Sequence, residues 1–132
     1  MSVAAQVLIV EDDPDIRGSV VDLLEAEVPW IEVSAARDGM EALELLEGGA
    51  EPRLALLDVM MPVMNGLEFL DALRDRKLAS GMRVVIISAY IQPRHVNNPR
   101  ITGLLPKPFR PTDLLTIVRQ HCPEPRPGAA QG

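Results

Sequence analysis

The stretch Leu54-Ala55-Leu56-Leu57-Asp58-Val59-Met60-Met61-Pro62-Val63-Met64-Asn65-Gly66 sets a run of apolar residues against an acid and then a loop bearing proline and glycine. Four consecutive apolar residues bounded by turn signals read as a strand covered on both faces. Asp58 therefore stands where a buried strand gives way to a loop. The same arrangement occurs near the start of the chain, where Val7-Leu8-Ile9-Val10 is followed by Glu11-Asp12-Asp13. Ser88 closes the apolar run Val84 to Ile87, and Lys107 follows the run around Leu104-Leu105. Acids, a hydroxyl and an amine at the ends of buried strands are poorly explained by folding alone, because a polar group next to a core costs free energy unless it is paired.

Between the apolar runs lie segments with helical spacing. Asp13 is placed to cap a helix whose first position is Pro14 and whose apolar residues Ile16, Val20, Leu24 and Val28 recur every four positions, with Pro29 ending it. Ile31 to Ala35 is a short strand. Asp38 and Glu41 form a capping-box pattern before Ala42, Leu43 and Leu46, and Gly48-Gly49 stops that helix. Asn65 and Glu68 repeat the pattern ahead of Leu67, Leu70 and Leu73, and a last helix opens at Pro111 and runs through Leu114, Leu115 and Val118 toward Cys122. Continuous apolar strands alternating with helices predict a parallel sheet covered on both faces. In such sheets ligands bind outside the carboxyl ends of the strands, which is where Glu11, Asp12, Asp58, Ser88 and Lys107 fall. Pro123 to Gly132 has the composition of a disordered tail, so the reading divides the chain into a domain over 1–122 and a proline-rich tail over 123–132.

Composition narrows the function. With 132 residues there is room for one core, and with one Trp, one Tyr and two Phe that core is built from aliphatic residues. A formal charge of −6 argues against a nucleic-acid surface, which needs clustered cations. One cysteine excludes an internal disulfide, and no signal peptide or membrane span is visible, so a soluble cytoplasmic protein is expected. With one Cys and two His, zinc is poorly supplied, and His95, His121 and Cys122 read as surface, surface and core residues. Clustered carboxylates repel one another unless a cation neutralises them, and hard oxygen donors suit Mg²⁺. A carboxylate beside Mg²⁺ can attack phosphorus, with the phosphoryl oxygens held by the metal, an ammonium and a hydroxyl.

The segments Leu8 to Pro14, Leu57 to Gly66, Ser88-Ala89 and Lys107-Pro108-Phe109 together resemble the receiver domain of bacterial two-component response regulators, over about residues 6 to 122. The resemblance implies a flavodoxin-like, doubly wound α/β fold with a five-stranded parallel sheet in the order 2-1-3-4-5. It implies that Asp58 is the phosphoacceptor, Asp12 a direct Mg²⁺ ligand and Glu11 a ligand through water, with the backbone carbonyl of Met60 completing the protein's share. Ser88 matches the family's switch hydroxyl and Lys107 the lysine that pairs with the phosphoryl group, followed by a bond to Pro108 that is usually cis. The implied partners are a histidine kinase or histidine phosphotransfer protein, a downstream protein the sequence does not name, and a second copy of the chain.

The departures are also specific. The interval from Ser88 to Lys107 is about a helical turn shorter than is common in receivers, and Pro93 and Pro99 interrupt it. The fourth helix of the family is therefore expected to be short, displaced or absent, and a loop at Ile91 to Thr102 to carry the readout. Leu104 stands where many receivers have an inward-swinging aromatic residue, and Tyr90 is expected close to the site, either modulating it or simply packing over the strand end. Met60, Met61 and Met64 are expected to pack on the third helix, with Met60 and Tyr90 flanking the path of a hydrolytic water. An Mg²⁺-dependent phosphohydrolase with an aspartyl nucleophile is the alternative from another class, but such enzymes need a second acid where Met60 stands. A pseudo-receiver that only binds partners is a third, set against the retained acids.

Overall fold

A computed structural model of the chain describes residues 5–61, 63–90 and 98–125. Among the described residues nine elements follow in order: β1 (Ala5–Val10), α1 (Pro14–Glu27), β2 (Ile31–Ala36), α2 (Gly39–Glu47), β3 (Leu54–Leu57), α3 (Gly66–Arg76), β4 (Arg83–Ser88), β5 (Ile101–Pro106) and α4 (Pro111–His121). The strands form one sheet in the order β2-β1-β3-β4-β5, every pair parallel, as the doubly wound reading expects. The family's expected short fourth helix falls largely on 91–97, outside the described residues.

Alternation along the strands divides the core into two layers. Leu8, Val10, Ala55 and Leu57 face α2 and α3, where they meet Leu43, Phe69, Leu70 and Leu73. Val7, Ile9, Leu54 and Leu56 face α1 and α4, where they meet Leu24, Leu114 and Val118. Since Val7–Val10 of β1 and all of β3 are central and buried on both sides, these stretches are unbroken apolar runs. Each large side chain so buried contributes about 1.5–3 kcal/mol. Phe69, which is fully buried, is the largest, and its truncation to Ala would cost about 3–5 kcal/mol.

The helix ends follow local chemistry. Asp13 Oδ1 accepts from the N–H groups of Asp15 and Ile16, and Pro14 begins α1. Asn65 and Glu68 make the reciprocal capping box at α3, at 2.9 and 3.1 Å. At α2 only half of the expected box forms. Asp38 accepts from Glu41 N–H, but Glu41 Oε1 reaches back to Arg37 N–H, one residue earlier than the cap. Gly66 lets α3 start hard against the end of β3, since a Cβ there would lie 2.8 Å from Val59 Cα.

β5 departs from the sequence reading. It is an edge strand of alternating exposure, so Leu105 enters the core while Leu104 is 43 % exposed. His121, expected at the surface, is half-buried and ties α4 to β5, with Nε2 2.7 Å from Thr102 Oγ1 and Nδ1 donating to Ile117 O at 2.8 Å. Cys122 is buried as expected. Among the described residues no helix is long and apolar enough to cross a membrane.

Candidate functional site

The parallel sheet brings the carboxyl ends of β1, β3, β4 and β5 to one edge. The backbone continues the ladder one step past each strand, which fixes where the side chains start. Glu11 N–H donates to Ala36 O at 3.0 Å, Asp58 N–H to Val10 O at 3.0 Å, and Lys107 N–H to Ser88 O at 2.9 Å. Glu11, Asp12, Asp58, Ser88 and Lys107 thereby come to the same end of the sheet, as the sequence reading expects.

Lys107 is the hub. Its Nζ donates to Glu11 Oε1 at 2.5 Å and to Asp58 Oδ2 at 3.0 Å. Asp58 Oδ1 accepts the Met60 N–H at 2.9 Å, so the loop after β3 folds back over the carboxylate. Glu11 and Asp58 are only 4 % and 5 % exposed, whereas Asp12 opens to solvent. One oxygen from each of Glu11, Asp12 and Asp58 lies within 4.8 Å of the others, the one such group of acids, His or Cys found among the described residues. The bond between Lys107 and Pro108 is cis.

These distances set the electrostatics. Removal from water, with the neighbouring Asp58 adding to it, outweighs the Lys107 ammonium and pushes the Glu11 carboxyl up to about 7. Burial alone would lower the Lys107 ammonium, but its hydrogen bonds to Glu11 and Asp58 prevail and raise it. Three carboxylates with a single ammonium between two of them leave a negative, oxygen-lined site. Hard oxygens without sulfur or imidazole fit a small hard dication.

Ser88 is fully buried, and its Oγ donates to Tyr90 O and accepts from Tyr90 N–H, both at 3.3 Å. Tyr90 thus meets Ser88 through its backbone, and the residue is 61 % exposed. The methionines do not act as one group. Met61 is buried, Met60 is 59 % exposed, and Met64 lies over the start of α2, where a Cβ on Gly39 would be 2.8 Å from its Cγ. Leu104 faces outward, and His95 lies outside the described residues. One contributor was not found from the sequence: Arg17 Nη1 donates to Glu11 O at 2.9 Å and Asp12 O at 3.4 Å. The available signal was a lone cation in the first turn after three acids.

Comparison with known proteins agrees with this geometry. The family model for the response regulator receiver domain matches residues 7–119. An uncharacterized 14.6 kDa protein of Leptolyngbya boryana is 33% identical over 119 residues, covering 88% of each chain. The nitrate/nitrite response regulator protein NarL of Escherichia coli is 35% identical over 117 residues, covering 88% of this chain and 54% of NarL. The present chain thus spans about half the length of that relative. Among solved structures, the chemotaxis protein CheY4 of Vibrio cholerae superposes with a TM-score of 0.78 at 32% identity, covering 90% of this chain and 99% of that one. The response regulator protein TrrA of Thermotoga maritima, solved in complex with Mg(2+)-BeF, gives a TM-score of 0.71 at 26% identity, covering 88% of this chain and 97% of that one. With the sheet order, the acids at two strand ends and the match along nearly the whole chain all in agreement, the protein belongs to the response regulator receiver domain family.

Proposed function

We propose that the protein is a phosphorylation switch in which Asp58 accepts a phosphoryl group from the phosphohistidine of a histidine kinase or histidine phosphotransfer protein. The observation that carries this reading is the convergence on one buried carboxylate: Lys107 lies 3.0 Å from Asp58 Oδ2, and Glu11 and Asp12 offer oxygens within 4.8 Å. In the transfer, an Asp58 oxygen bonds to phosphorus as the phosphorus–nitrogen bond to the donor imidazole breaks, and the imidazole keeps the electron pair and takes a proton. Lys107 leaves Glu11 to pair with the transferred group. Ser88 exchanges its contacts with the Tyr90 backbone for a phosphoryl oxygen, which moves the start of the segment after β4. Mg²⁺ held by Asp12, Asp58, the Met60 carbonyl and, through water, Glu11 would supply positive charge to the phosphoryl oxygens.

The protein acts as a switch on partner binding more than as a turnover enzyme, in the cytoplasm where its donors work. Its output is a downstream protein or a second copy of itself. Exposed Met60 and Tyr90 slow dephosphorylation by obstructing water, and replacing both with small polar residues should shorten the phosphoryl lifetime. An unchanged lifetime would reject that role.

Incubation with Mg²⁺ and a small acyl-phosphate donor, followed by intact mass, tests the main claim. The wild type should gain one phosphoryl group and Asp58→Asn none; a wild type that gains nothing overturns it. Amide exchange with and without a phosphoryl mimic tests the switch, and unchanged protection across residues 88–104 would eliminate it.

A further inference from the structure

We infer that Arg17 is a positioning residue that shapes the acidic pair for metal binding, an inference that rests on the metal site proposed above. Glu11 and Asp12 lie in the turn between β1 and α1, past the last residue of the strand. Their carboxylates converge with that of Asp58 only if the backbone from Val10 to Pro14 is held. Ala36 O holds the Glu11 N–H from one side. On the other side, neither the Glu11 nor the Asp12 carbonyl accepts a backbone hydrogen bond among the described residues, and Pro14 has no N–H to offer. Both carbonyls are taken by Nη1 of Arg17, at 2.9 and 3.4 Å. Arg17 is half-buried on the first turn of α1 and forms no ion pair among the described residues, although Asp12, Asp13 and Asp15 are close in sequence. A guanidinium that gives its hydrogen bonds to main-chain carbonyls in so acidic a turn acts through shape.

Charge and shape make opposite predictions here. A cation beside a cation site opposes the metal, so by Coulomb's law alone neutralising Arg17 tightens Mg²⁺ binding. Removing the clamp instead frees the Glu11–Asp12 peptide and separates oxygens that now lie within 4.8 Å, which weakens binding. Lysine discriminates further, because it keeps the charge but is shorter and lacks the planar, directed donors.

The test is titration of the metal-free full chain with MgCl₂, read from the amide chemical shifts of Glu11, Asp12 and Asp58, for wild type, Arg17→Gln and Arg17→Lys. Urea unfolding followed at Trp30 confirms that each variant is folded, and Arg17→Lys keeps the test decisive if Arg17→Gln is not. Both folded variants should bind Mg²⁺ roughly tenfold or more weakly, as partners behind metal ligands commonly do when removed. Equal or tighter binding by Arg17→Gln, or wild-type affinity in Arg17→Lys, overturns the inference. A wild type with no saturable shifts overturns the metal site itself, and with it this role for Arg17.

Discussion

Replacing Lys107 with Met keeps the length and most of the apolar stem of the side chain and removes one charge. The ammonium is 2.5 Å from Glu11 Oε1 and 3.0 Å from Asp58 Oδ2, with the side chain 17% exposed. At about 3 Å and an effective dielectric near 20, each contact is worth roughly 5 kcal/mol before desolvation. Much of that is offset by taking the three groups out of water. At a pH above the Glu11 titration the variant leaves two carboxylates buried without their cation, so the net loss should approach the about 3–5 kcal/mol seen when one partner of a buried pair is removed. Mg²⁺ should then recover part of it. Without the ammonium the site is one charge more negative, so its metal affinity should rise about tenfold, or about 1.4 kcal/mol. The gap between variant and wild type should shrink by that amount at saturating Mg²⁺. Urea unfolding with and without Mg²⁺ measures both gaps, using the fluorescence of Trp30, whose indole N–H donates to Cys122 O at 2.8 Å and so reports the packing of the α1–β2 turn on the end of α4. A metal-free gap below about 1 kcal/mol, the range of exposed pairs, would refute the reasoning, as would a gap indifferent to Mg²⁺.

Three further outcomes follow from the geometry. Gly66→Ala should cost about 1–3 kcal/mol, because its Cβ would fall 2.8 Å from Val59 Cα and 3.2 Å from Asp58 O, where backbone cannot yield cheaply; an unchanged urea midpoint would contradict this. Val63 has φ 67° and is 77% exposed, so Val63→Gly should relieve strain and lose little packing, raising stability by about 1 kcal/mol in thermal unfolding, whereas a lower midpoint would count against strain there. Glu11 in the metal-free protein titrates near 7 rather than 4.5, so the folded form binds more protons than the unfolded one between those values. Its contribution to stability is full below 4.5 and is lost as pH rises through 7. Since the metal requires the ionised carboxylate, Mg²⁺ binding between those pH values should release protons, detected as a dependence of the calorimetric heat on buffer ionisation enthalpy. Equal heats in all buffers would exclude it.

The fold and most of the site were legible because their causes are local. Val7 to Val10 and Leu54 to Leu57 are apolar without interruption since both faces of a central parallel strand are covered. Asp13 and Asn65 with Glu68 mark helix starts because a cap bonds the N–H groups two or three residues on, and Pro111 marks one because its ring presets φ and has no N–H to leave unpaired. Placement of Glu11, Asp12, Asp58, Ser88 and Lys107 at one edge then follows from parallel strands ending together.

What the sequence by itself determined is thus the set of elements, their order and which end of the sheet is chemical. Tertiary structure decided which of these groups touch. Lys107 meets a carboxylate 96 positions away, and only the crossover of β5 onto β4 brings it there. It also decided that Leu104 faces solvent while Leu105 enters the core, since two adjacent leucines leave the phase of an edge strand ambiguous. It also turned Arg17 back onto the carbonyls of Glu11 and Asp12, six and five positions earlier. A side chain's direction depends on the folded backbone around it, and spacing along the chain, short or long, does not say which group it will reach.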